Sequence, residues 1–154
     1  VTFLCINIYM KDAYVNAFHG VVKETQATTG LELPENLEAY IVMLLASNMD
    51  KPNFLPERSF AEAYLKLRNP ANYSAKELGD TCLFVSGVFP TYGKKHGLSK
   101  SYYQGIGISS YDMISEVLNG ELFSQLAFHF CFLSEFIECA VLPKQLNSDL
   151  IKRL

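Results

Sequence analysis

The stretch SAKELGDTCLFVSGVFP, residues 74–90, decides between a helical and a mixed fold. Taken alone, Cys82 to Val85 has the composition of a short strand. Its flanks point the other way. Ser74 and Glu77 stand three apart, the spacing at which a hydroxyl and a carboxylate satisfy each other's backbone amides at a helix start. Leu78, Cys82, Leu83, Phe84, Val85, Val88 and Phe89 then cover most of a helical circumference, and Pro90 stops the pattern. The segment is predicted to be a helix buried against several neighbours.

Working toward the N-terminus, the same punctuation recurs. Pro56 to Arg68 is predicted to be helical, with Ser59 and Glu62 at capping-box spacing and Asn69-Pro70 as its end. Asp50 to Pro56 is a loop. Pro34 to Asn48 carries Leu37, Tyr40, Ile41, Val42, Met43, Leu44 and Leu45 around most of a helix, and Pro34 suits its first turn. Lys11 to Thr28 places Tyr14, Phe18, Val21, Val22 and Thr25 on one face and ends at Gly30, so the two helices are expected to pack antiparallel. Val1 to Met10 is an apolar run too short to span a bilayer and without the basic start of a signal peptide. Ile6 to Tyr9 has strand-like composition. Residues 1–9 are expected to be an extension or accessory segment ahead of a start at Met10.

Toward the C-terminus, Thr91 to Leu98 is a loop with Gly93 and Gly97. Ser99 or Ser101 is expected to cap the next helix, Ser101 with Gln104 as a third capping box, and Asn119-Gly120 to close it. Tyr103, Ile106, Tyr111, Ile114, Val117 and Leu118 are its apolar positions. Glu121 to Leu142 is predicted to be one helix stopped by Pro143, with residues 144–154 a frayed tail. Its polar stripe is Ser134, Glu135 and Glu138. Two carboxylates at membrane depth are costly, so this run is a core helix rather than a membrane span.

The fold class is therefore all-α: five to six helices in a single compact domain, bundle-like or orthogonal. A length of 154 residues fits one domain. Hydrophobic residues at 49% exclude a disordered chain. A net charge of −3 gives no global basic field, so neither nucleic acid nor a membrane surface is an expected partner. The four cysteines, Cys5, Cys82, Cys131 and Cys139, form no CxxC pair, which suits reduced thiols in the cytoplasm.

Few residues carry a chemical signal. Gly105 and Gly107 form a lone GxG without the strand, third glycine or Lys-Ser pair of a phosphate loop. Gly79, Gly105 and Ser109 are instead expected to allow close helix packing. Lys94, Lys95, His96 and Lys100 lie beside Phe89, Tyr92, Tyr102 and Tyr103, a basic and aromatic mix that reads as a solvated loop in an acidic chain. His129 falls on a wheel within the arc of Leu122, Leu126, Leu133 and Phe136, as a satisfied core histidine or a buried base. Asp80 has Lys76 one turn before it as a surface partner. The sharper expectation is a polar pocket made by Asp80, Tyr102, Tyr103, Tyr111 and His129. His19 is expected to be solvated. Cys131, Glu135 and Cys139 share a helix face but lack a fourth ligand, so no metal and no cofactor is expected.

Gly79-Asp80, Leu83-Phe84, Gly87 and Phe89-Pro90, followed by Tyr102-Tyr103, Gly107 and Tyr111, spell GDxxLFxxGxFP and then YYxxxGxxxY. This pattern resembles an uncharacterised bacterial all-α family, over roughly residues 10–141. The resemblance implies a small helical domain from a bacterial cytoplasm, and it brings no activity and no catalytic residue. The function expected from the sequence is a non-catalytic module that binds a protein partner or itself, because high apolar content, low charge and nine tyrosines suit an interface. The alternative is a small-molecule binder or enzyme with its pocket near Asp80, Tyr103 and His129.

Overall fold

The computed structural model describes residues 2–48, 64, 74–94 and 97–146. Among these residues there are six helices and no strand: α1 Thr2–Thr29, α2 Glu35–Asn48, α3 Ser74–Val88, α4 Lys100–Ser115, α5 Gly120–Phe128 and α6 Phe130–Leu146. None is long and apolar enough to cross a membrane. The helix expected over Pro56 to Arg68 lies outside the described residues except for Tyr64, which is helical. The chain divides into two compact units, Val1–Pro52 and Asn53–Leu154.

The first unit is a helical hairpin. α1 runs unbroken through the apolar N-terminal stretch, so Ile6 to Tyr9 is helix rather than strand, and the helix expected from Lys11 begins at Thr2. Gly30 ends α1 with φ at +72°, the left-handed region that glycine enters without a Cβ penalty, and its amide donates to the Gln26 carbonyl at 2.9 Å. Pro34 has no amide hydrogen to leave unbonded, and its carbonyl accepts the first bond of α2, from Glu38. Val21, Val22 and Thr25 of α1 are buried, as are Leu37, Ile41, Val42, Leu44 and Leu45 of α2. Thr25 satisfies its buried hydroxyl by donating to the Val21 carbonyl.

In the second unit α3 packs against both α4 and α6, while α4 also carries α5. The close approaches are made by glycines. A Cβ on Gly79 would lie 2.6 Å from the Tyr111 ring of α4, and one on Gly87 would lie 2.6 Å from Ile137 of α6. A Cβ on Gly107 would overlap the Phe130 ring and come within 2.9 Å of the Cys82 Cβ. Gly105 has open space around it and is exposed, so Gly107, not Gly105, is the packing glycine of α4. Ser109 is half-buried. The core is Leu78, Cys82, Leu83 and Val85 of α3, Ile114 of α4, Leu126 of α5, and Phe130, Leu133, Phe136 and Ile137 of α6, with Tyr111 fully buried among them. Ser86 and Ser134 are buried between α3 and α6, where Ser134 Oγ donates to Ser86 Oγ at 3.0 Å. Ser134 is thus not part of a polar stripe.

The start of α4 falls on one of the two residues expected to cap it, and three other boundaries differ from those expected. The N-cap of α4 is Ser99, whose hydroxyl bonds Ser101 Oγ at 2.7 Å and caps no backbone amide, so Ser101 belongs to the first turn. α4 ends at Ser115, and Asn119, with φ at 34°, turns the chain into α5. The run after Glu121 is two helices, not one. His129 interrupts it with φ at −96° and ψ at 13°, although its amide still reaches the Gln125 carbonyl and its carbonyl accepts from Leu133. The interruption lets α5 lie on α4 while α6 lies along α3. Pro143 does not stop α6, which runs to Leu146.

The glycine assignment predicts opposite effects two residues apart. Gly105→Ala is expected to stabilise the protein by up to about 1 kcal/mol, the usual gain for alanine in an exposed helix. Gly107→Ala is expected to destabilise it, because overpacking costs about 1–3 kcal/mol against that same gain. Urea midpoints of the two variants check this, and shifts of the same sign contradict it.

Candidate functional site

Asp80 and Tyr111 are brought together by the packing of Gly79. With no side chain at Gly79, the Tyr111 ring lies on the α3 backbone and its hydroxyl donates to Asp80 Oδ1 at 2.7 Å. Lys76, one turn earlier on α3, donates to Oδ2 at 2.8 Å. Both carboxylate oxygens are therefore engaged, one by a buried phenol and one by a half-exposed ammonium. The Asp80 side chain keeps 18% of its surface exposed, whereas Tyr111 has none. A phenol sealed in this way does not meet a substrate in the folded state. Its rings of contact are Phe123 of α5, with centroids 5.8 Å apart, and Phe130 of α6, at 5.7 Å.

The other expected pocket residues lie elsewhere. Tyr103 precedes Tyr111 by two helical turns, about 12 Å along the axis of α4. It is buried, and its ring meets Tyr92 and Tyr102 edge-on with centroids 5.8 and 5.1 Å away. Its hydroxyl lies against Gly93, where a Cβ would overlap it. Burial raises the Tyr103 pKa above the ordinary phenol value, and the neighbouring Tyr92, Tyr102 and Cys82 add to the effect. Tyr102 is half-buried. His129 is half-buried at the break between α5 and α6, with its ring edge-on to Phe128 at 4.9 Å. The wheel that placed it in the core assumed an unbroken helix, and the break falls on His129 itself. The five residues thus form one bonded pair, Asp80 with Tyr111, one tyrosine cluster and one separate histidine.

The cysteines divide by burial. Cys82 is buried, which raises its thiol pKa far above the ordinary value and removes thiolate character. Cys131 and Cys139 are free and exposed. Glu135 on the same helix is drawn to Lys100, whose ammonium donates to Glu135 Oε1 at 2.8 Å and to Glu138 Oε2 at 2.7 Å. Burial of Lys100 opposes its charge, but the two carboxylates outweigh it and raise its pKa. This clasp ties the start of α4 to α6. It also neutralises one of the four basic residues of the loop region, in which Lys95 and His96 lie outside the described residues. No group of three or more His, Cys, Asp or Glu among the described residues is arranged to hold a metal ion.

Two features were not drawn from the sequence. The first is a groove of about 630 Å³ in the first unit, lined by residues including His19, Lys23, Gln26, Glu32, Glu35 and Glu38. Glu38 is its hub. It accepts from Gln26 Nε2 at 2.7 Å and pairs with Lys23 at 3.0 Å, with His19 at 3.6 Å. The Gln26 hydrogen bond holds the Glu38 carboxyl below its ordinary range, with Lys23 and His19 helping and burial opposing. Gln26 also accepts the Leu33 amide, so one amide group ties α1 to the link and to α2. The second is Phe128, 84% exposed at the end of α5, with Phe132 37% exposed one turn further on. Helical periodicity marks apolar positions but does not say which of them the neighbours leave uncovered.

No protein-family model, curated protein or solved structure matches the chain.

Tyr111→Phe is expected to lower stability by about 1.5–3 kcal/mol, the range for a hydrogen bond to a charged group, with unchanged far-UV circular dichroism. Asp80→Asn in the Tyr111→Phe background should cost less than Asp80→Asn alone, because the two share one interaction; additive losses in a urea double-mutant cycle would contradict the pairing. For Glu38 the sign follows from its lowered folded-state pKa. Its contribution is present above the ordinary value of 4.5 and is lost as pH falls through the lower folded value. The urea midpoint is expected to drop over that acidic interval, and Glu38→Gln to show a smaller drop.

Proposed function

We propose that this chain is a non-catalytic helical module that associates through an exposed aromatic surface with a protein partner or a second copy of itself. The observation that carries the reading is Phe128. Its exposure is 84%, yet it stands between buried Ala127 and Phe130 and is held on a packed helix end. Covering a phenylalanine of this kind is worth roughly 1.5–3 kcal/mol, and aromatic anchors on rigid mounts are the residues that dominate interfaces. Phe132, four residues on, is also exposed, at 37%. Phe89 and Tyr92, each 42% exposed, add aromatic area at the end of α3.

The chemistry of the candidate residues supports a non-catalytic role. Asp80 is already engaged through both oxygens, Tyr111 is sealed, and the Cys82 thiol is held protonated. The motif that resembles the bacterial family fits an architectural purpose, since Gly79 and Asp80 meet Tyr111, Gly107 meets Cys82 across α3 and α4, and Gly87 meets α6. The same reading places the chain in a bacterial cytoplasm, where Cys131 and Cys139 remain thiols.

Light scattering on a sizing column tests the proposal. The native protein is expected to run as more than one chain, or to retain a cross-linked partner in bacterial lysate, and Phe128→Asp to lose that species while keeping its circular dichroism. A native protein that stays a single chain at every concentration, with the same cross-linking pattern as Phe128→Asp, would overturn it.

A further inference from the structure

No further inference is drawn: the strongest candidate, the exposed Phe128 and Phe132 face beside Cys131 at the α5–α6 junction, belongs to the association surface already proposed, and nothing in the structure shows what covers it.

Discussion

The Tyr111 ring resting on Gly79 sets the spacing of the second unit. Any side chain at Gly79 would stand within 3 Å of that ring, so the absence of one fixes how near α4 comes to α3. At that spacing, the next contact along α4 is Gly107, close enough to Cys82 that Phe130 of α6 can fill the space beside it. The ring then becomes a floor for Phe123 and Phe130, which brings α5 and α6 onto the same centre. Two effects hold Tyr111 there. Burying the aromatic body is the larger, at several kcal/mol by comparison with truncations of buried aromatics. The bond to Asp80 is smaller, but without it a phenol hydroxyl would be left unpaired in the interior. Asp80 in turn stays near the surface, where Lys76 and water share the cost of its charge.

The first unit is held differently. Its hairpin has an aliphatic core, but its polar contacts converge on Glu38 from one side of α1, at His19, Lys23 and Gln26. His19 and Lys23 are more than half exposed in their side chains, so their share is modest and weakens with salt. The Gln26 amide is the steadier element. It is neutral and bidentate, and it joins two parts of the hairpin that the sequence separates by only a short link.

The fold was legible where the chain carries its own punctuation. Gly30, Pro34 and Pro90 mark ends that the backbone obeys, because a missing Cβ or a missing amide hydrogen acts within one turn. It was less legible where the deciding partner is distant in sequence. Gly105 and Gly107 look alike in a GxG pair, yet Tyr103, Gly107 and Tyr111 recur every four residues and share the face toward α3, a signal that was present. His129 carries no helix-breaking chemistry, and the break there follows from α5 and α6 having different neighbours. Asp80 and Tyr111 were legible as candidates because both are polar groups in apolar helical patterns. Their bond falls within the expected cluster, but the separation of Tyr103 and His129 from it was not legible, because it depends on the register of α3 and α4 and on the break at His129. Phe128 was invisible for the converse reason: exposure is a property of everything that fails to cover a residue.

The paired hydroxyls of Ser86 and Ser134 have a consequence for how the helices find their alignment. In an otherwise aliphatic seam, many offsets of α6 along α3 would bury similar hydrocarbon. Only one offset lets the two hydroxyls answer each other beside the notch at Gly87. A slip by one turn would leave Ser86 bonded to the Leu83 carbonyl of its own helix but take the partner from the Ser134 hydroxyl, at a cost of about 1–3 kcal/mol for a buried group left unsatisfied. The pair thus acts less as a bond that strengthens the native seam than as a penalty on every competing one, and it selects a single register from a set that hydrophobic burial alone would leave nearly degenerate.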